Sequence, residues 1–268
     1  MVIQHNIAAN NAYRNLSSNA SNGQKNLEKL SSGYRINRSA DDAAGLAISE
    51  QMRSKINGLD QATSNANDAI GLIQTAEGAL TETHSMLQRM VTLATQSANG
   101  TYNTTARSAI SAEVDALKEE INRIASTTDY NGVKPLASSA EIQVQIGPTS
   151  TEILNIATTN MNTSKLGVKN ISVSTVSKAN SAITAINSAI NKVSTHRAKL
   201  GASQNRLEHT INNLKTTNEN MTAAESRIRD TDMAKEMAAF TKNNILNQAA
   251  QSMLSQANQQ PQGVLSLL

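Results

Sequence analysis

Tryptophan and cysteine are absent from this sequence, and phenylalanine appears only at Phe240. A compact globule uses aromatic rings to fill the middle of a thick core. Ala, Leu, Ile, Val and Met, with only Phe240 and four Tyr beside them, suit thin helix-on-helix layers better. The lack of cysteine excludes disulfides, thiolate metal sites and a cysteine nucleophile. Prolines occur only at 135, 148 and 261, so residues 1–134 and 149–260 lack the residue that breaks helices. No window reaches the ~18 apolar residues of a membrane span. The N-terminus has neither the basic start nor the apolar run of a secretory signal, so export by a cleaved signal peptide is not expected. The formal net charge of +3 comes from scattered Lys and Arg, with no run that would track a phosphate backbone. Neither nucleic acid nor membrane is an expected partner.

Charge is scarcest at the two ends. From Asn243 to Leu268 there is no charged side chain, and residues 1–24 carry only Arg14. Apolar residues recur there, at Ile3, Ile7, Leu16 and Leu27, and at Phe240, Leu246, Ala250, Met253, Ala257, Leu265 and Leu268, with Asn, Gln and Ser between them. Such a face is too polar for a bilayer and too poor in charge for an ordinary solvated surface. Burial against other polypeptide, with amides satisfying one another, fits both facts. A pair of disordered tails is the alternative for the isolated chain, and it is compatible with this reading if the ends fold into helices only on assembly. Pairing within one chain would leave apolar flanks exposed, so repeated neighbours are implied.

Between the ends, apolar residues repeat every seven positions. Met52, Leu59, Ala66, Ile73, Leu80, Leu87 and Ala94 form one row, and Ile186, Val193, Leu200, Leu207, Leu214, Met221 and Ile228 another. The flanking rows, Ile56 to Ala98 and Ile183 to Glu225, are mixed. A heptad sustained this long is a coiled-coil seam, and each helix would run roughly 70 Å at 1.5 Å per residue. A shorter seam, Ile110, Val114, Leu117, Ile121 and Ile124, follows a reversal at Asn99-Gly100. The expected fold is mainly α, a long antiparallel coiled-coil rod with a small β-hairpin region and both termini pairing as helices. With free ends aligned, Glu77 and Arg197 would meet and fix the register.

The middle switches period. Tyr130-Asn131-Gly132 signals a turn, and Ile142, Val144 and Ile146 alternate with Gln143 and Gln145 before Gly147-Pro148 breaks the chain. A hairpin is expected over about 140–158. The division that follows is 1–43 and 231–268 as terminal helical segments, 44–130 and 179–230 as rod helices, and 131–178 as hairpin and loops.

Chemistry-bearing constellations are lacking. His5, His84, His196 and His209 have no partner at metal-ligand spacing, and His84 reads as a satisfied structural histidine. No phosphate loop or nucleophile elbow is present. Asp41 and Asp42 adjoin a helix start that they can cap. Neither catalysis nor a cofactor is expected.

Four blocks carry a family resemblance. LSSGYRINRSADDAAGLAISEQMRSKINGL (Leu30 to Leu59) resembles the N-terminal signature of bacterial flagellins, and LQRMVTLATQSANGT (Leu87 to Thr101) the block that follows it. TTDYNGVKPL (Thr127 to Leu136) is similar to the turn into the β region, and ILNQAAQSMLSQANQQPQGVLSLL to the flagellin C-terminus. The match spans nearly 1–135 and 180–268, leaving no room for large variable outer domains or for the zinc-peptidase motif some relatives carry there. The resemblance implies a subunit that homo-polymerises into the extracellular flagellar filament, with its paired ends lining the core. It also implies type III export, a chaperone on the C-terminal segment, and contacts with the filament cap and hook–filament junction proteins. It further implies recognition of the monomer by Toll-like receptor 5, at the matching positions Arg89, Leu93 and Glu113. Arg89 and Leu93, one turn apart, are expected to face away from the Leu87/Val91 seam. The rival readings are a junction protein with related ends, a filament-borne metalloenzyme, and a generic coiled-coil scaffold.

Overall fold

The computed structural model describes residues 5–265, with side chains described to residue 260. Among the described residues the order is α1 (Ile7–Ser32), α2 (Ala43–Ala98), α3 (Thr104–Thr127), β1 (Glu141–Gln145), β2 (Ile153–Ala157), α4 (Thr163–Leu166), α5 (Val176–Arg229) and α6 (Met233–Leu265). The fold is mainly α, with one antiparallel hairpin. The chain divides into two units, Met1–Ile56 with Glu219–Leu268, and Asn57–Asn218.

Local chemistry sets the helix limits. The Asn6 side chain accepts from the Ala9 N–H to cap α1, which ends at Gly33 in the left-handed region (φ 75°). Asp42 Oδ1 accepts from the Gly45 N–H at 2.9 Å and caps α2. Asn103 does the same for α3, through the Ala106 N–H.

Within 57–218, α2 and α5 are antiparallel. Asp60 meets Asn218 at 2.7 Å, Glu77 meets Arg197 at 3.4 Å, and the Ser97 hydroxyl donates to the Val173 carbonyl at 2.5 Å. Leu59, Ala66, Ile73, Leu80, Leu87 and Ala94 are all buried, as are Ile186, Val193, Leu200, Leu207 and Leu214. The second buried row of α2 lies three residues on from the first and runs Ala62, Ala69, Ala76, Thr83, Met90 and Ser97. The row four residues on, containing Ile70, Glu77, His84 and Val91, is only half-buried. That second row is mostly small side chains, whereas Glu77 lies in the half-buried row at the rim.

A third apolar row on α2, Ala79, Met86 and Leu93, belongs to the same core as Ile110, Val114 and Ile121 of α3. Two partners therefore cover α2 from different sides. In the hairpin Glu141 pairs with Ala157 and Gln145 with Ile153, and Val144, Leu154 and Ile156 turn inward. The turn at 130–133 closes with Asn131 at φ 51° and Gly132 at φ 84°, bridging Tyr130 and Val133. Gly58 is required by a close approach: a Cβ there would lie 2.8 Å from the Pro148 ring. The short helix α4 has no counterpart in the sequence reading. It is pinned by Lys192 Nζ, which donates to the Lys165 and Leu166 carbonyls at 3.1 Å.

Candidate functional site

The two terminal helices, α1 and α6, pack antiparallel within their unit. Asn6 Nδ2 donates to the Ala257 carbonyl at 2.8 Å near one end of the pair. Toward the other end, with its amide nitrogen facing Glu236, Asn26 donates to Glu236 Oε1 at 3.0 Å and accepts from Asn243 Nδ2 at 2.9 Å. Gly23, the only buried residue of α1, sits against the Asn247 side chain. The more covered positions of α1 are Ala9, Ala12, Leu16, Asn19, Gly23, Asn26 and Leu30, at alternating spacings of three and four. Their counterparts on α6 are Phe240, Asn243, Asn247, Ala250, Leu254 and Ala257. Amides and small residues, with Leu16, Leu30, Phe240 and Leu254 among them, therefore join the pair.

Many of the larger apolar residues stay outside it. Ile7 is 70% exposed, Leu27 54%, Leu246 38% and Met253 61%, and Tyr13, Met237 and Ile245 are exposed as well. Of the residues expected at an assembly core, Leu16 and Phe240 are half-buried inside the pair. Ile3 and Leu268 lie outside the described residues, and Leu265 ends α6 with its side chain outside them. A groove of about 520 Å³ runs between the helices, lined by Ala8, Ala12, Asn15, Leu246, Ala250 and Met253. With no charge on its walls it can take apolar side chains and trade amide hydrogen bonds.

The links from α1 to α2 and from α5 to α6 are held together in the same unit. The Arg35 N–H donates to the Arg229 carbonyl at 2.7 Å, the Thr231 N–H donates to the Gly33 carbonyl at 3.0 Å, and Tyr34 bridges Asp230. The Tyr34 ring carries two guanidinium groups, Arg229 at 4.7 Å and Arg53 at 5.7 Å from its centroid. Glu50 pairs with Arg229 at 2.5 Å, and Glu225 with Arg53 at 3.9 Å. Sequence reasoning missed this clasp, because its residues are far apart in the chain and follow no period.

In the larger unit, Arg89 Nε donates to Glu113 Oε1 at 2.8 Å, joining α2 to α3 with both side chains about half exposed. Leu93 corrects the expectation of an outward leucine, for it is only 2% exposed. It faces the third helix, whose packing turns what would be an outer flank of a two-helix seam into core. His84 corrects the expectation of a satisfied histidine, since Nε2 meets Gln88 Nε2 at 3.1 Å while buried Nδ1 has no partner. His196, on the α5 seam, is buried at 4% exposure; burial, and then the charge of Lys199, hold its pKa below 6.5. Among the described residues no group of three His or acidic side chains could hold a metal, and no helix is long and apolar enough to cross a membrane.

Comparison with known proteins places these features in a family. Residues 3–141 match the bacterial flagellin N-terminal helical region, and residues 183–268 match the C-terminal helical region. The chain is 54% identical over 271 residues to a flagellin of Halalkalibacterium halodurans, covering 100% of both chains. It is 52% identical over 303 residues to a flagellin of Bacillus subtilis, again covering 100% of both. A crystal structure of Bacillus cereus flagellin aligns with a TM-score of 0.52 at 33% identity, covering 60% of this chain and 94% of that one. A putative flagellar hook-associated protein of Vibrio parahaemolyticus aligns at 0.60 with 13% identity, covering 71% and 100%, a likeness of fold alone. The flagellins span this chain from end to end at half identity or more, and the chain belongs to the bacterial flagellin family, structural subunits rather than enzymes, which polymerise into the extracellular flagellar filament.

Proposed function

We propose that this subunit joins the filament through the outward apolar residues of the α1/α6 pair, with Ile7, Leu27, Leu246 and Met253 seated on neighbouring copies. One observation carries this reading: a helix pair joined largely by amides and small residues leaves Ile7, Leu27, Leu246 and Met253 in solvent, and no charged side chain lies from Asn243 to the C-terminus, where Leu246 and Met253 stand. A surface of that composition is stable only when repeated neighbours cover it. Leu246→Glu and Met253→Glu place charge on this face without entering the buried core of the larger unit. Seeded polymerisation followed by electron microscopy reads the effect. The expected result is loss of filaments with an unchanged main melting transition; long filaments from both variants would refute the interface.

The same uncharged C-terminal face suits an export chaperone before secretion, and the cap and hook–filament junction proteins at the two ends of the polymer. A second reading concerns the monomer. The Arg89–Glu113 pair stands exposed on α2 and α3, which supports recognition there by Toll-like receptor 5. Leu93 then acts from beneath, by holding α2 against α3. Arg89→Ala is expected to weaken receptor signalling in a reporter assay while polymerisation persists. Undiminished potency would remove Arg89 from the contact.

A further inference from the structure

We infer that Asn99–Gly100, in the turn between α2 and α3, is a self-modification site at which Asn99 loses ammonia and becomes aspartate or isoaspartate. In this reaction the Gly100 nitrogen gives up its proton to solvent base and attacks the Asn99 side-chain carbon. A nitrogen–carbon bond forms, the bond to Nδ2 breaks, and ammonia leaves with a proton from water. The cyclic imide then takes up one water at either carbonyl. One opening gives aspartate, and the other gives isoaspartate, with the backbone routed through Cβ.

The sequence holds four Asn-Gly pairs, and the fold treats them differently. Asn22–Gly23 lies inside α1 and Asn57–Gly58 inside α2. Helical backbone bonds hold both glycine nitrogens, and helical dihedrals keep the side-chain carbon away from them. In the 130–133 turn, the Gly132 N–H donates to Asp129 Oδ2 at 3.0 Å. A carboxylate accepting that proton opposes its loss.

At Asn99 the contacts point the other way. The Thr101 N–H donates to Asn99 Oδ1 at 3.2 Å, which polarises the carbon to be attacked and folds the side chain forward over the next peptide. The Asn99 backbone carbonyl, part of the same peptide group as the Gly100 nitrogen, accepts from Arg107 Nη2 at 3.0 Å and from the Tyr102 N–H at 3.4 Å. A cation on that oxygen stabilises the peptide anion and so acidifies the Gly100 N–H. Arg107 is itself anchored, with Nε donating to the Ser97 carbonyl at 3.1 Å. Asn99 and Gly100 are both exposed, so base and water can reach them. The product carboxylate stands just past Ala98, at the negative end of the α2 dipole, and this loosens the last turn of α2.

The test incubates the full-length folded chain at mildly alkaline pH and follows all four sites by peptide mass spectrometry. Asn99 is expected to convert about tenfold faster than Asn131, less than the hundredfold or more that a donor supplies in a water-excluded site. Arg107→Gln is expected to bring Asn99 to within about twofold of Asn131, in keeping with loss of one charge-assisted contact. Loosening of the turn by that substitution would speed the reaction, so a slower rate cannot come from disorder. In denaturant the four sites should convert alike, with or without Arg107. Asn131 keeping pace with Asn99 in the folded chain would overturn the assignment, and so would an Arg107→Gln rate that does not fall.

Discussion

Single side chains settle where the helices of this flagellin begin and how it responds to acid. Asp42 caps α2 at Gly45, while Asp41 accepts the Asn37 and Arg38 N–H groups at 3.2 and 3.1 Å. The Arg38 and Asn37 hydrogen bonds, in that order, hold the Asp41 carboxyl below its ordinary range. Asp42→Ala is expected to cost about 1 kcal/mol, seen as a lower urea midpoint at unchanged slope. His196 acts in the opposite sense. Its pKa is depressed in the folded chain, so below pH 6.5 the unfolded chain binds a proton that the folded chain refuses. The stability that neutral His196 supplies is complete above that pH and drains away as pH falls. His196→Gln should therefore lose less melting temperature than the parent between neutral pH and about pH 5. Equal losses would show that other groups carry the acid response.

At the scale of elements, the α2/α5 seam is stabilised by burial and registered by polar contacts. Leu87→Ala removes a fully buried side chain and is expected to cost about 2–5 kcal/mol, read by thermal or urea unfolding. The Glu77–Arg197 pair sits at the rim, each side chain about a third exposed, so screening keeps its coupling under about 1 kcal/mol. A double-mutant cycle on the melting transition measures it, and a coupling of several kcal/mol would mean that the pair is far less screened than its exposure implies. The leucine and isoleucine row of each long helix was legible in the sequence, and so was the Glu77–Arg197 meeting. The second row of α2 was not, because Ala62, Ala69, Ala76 and Ser97 are residue types that sit equally well inside or outside a helix. Leu93 illustrates a related point: the Leu87/Val91 row alone points it outward, but the core that α2 shares with α3 encloses that flank as well.

For the whole molecule, stability and assembly draw on different surfaces. The larger unit closes over its own apolar rows, while the terminal pair leaves large apolar residues to solvent. Assembly through an uncharged face should depend weakly on screening. The critical concentration for polymerisation is expected to change little between low and physiological sodium chloride. It should fall in sulfate, which strengthens apolar burial. A steep rise with sodium chloride, measured by sedimentation of seeded polymer, would instead mean that ion pairs carry the contact.

Some of this protein was decided by its sequence alone. The heptad rows, the scarcity of breakers, the hairpin's alternation and the uncharged ends are properties of contiguous segments, so one chain read in order carries them. Tertiary structure decided what depends on a partner arriving from far along the chain. It chose which flank of α2 is covered, put Leu93 inside and left Arg89 outside. It stacked Tyr34 with Arg53 and Arg229, and set Arg107 against the Asn99 carbonyl. Periodicity says that a helix has a buried face; only the neighbours determine how wide that face is and which polar groups it brings together.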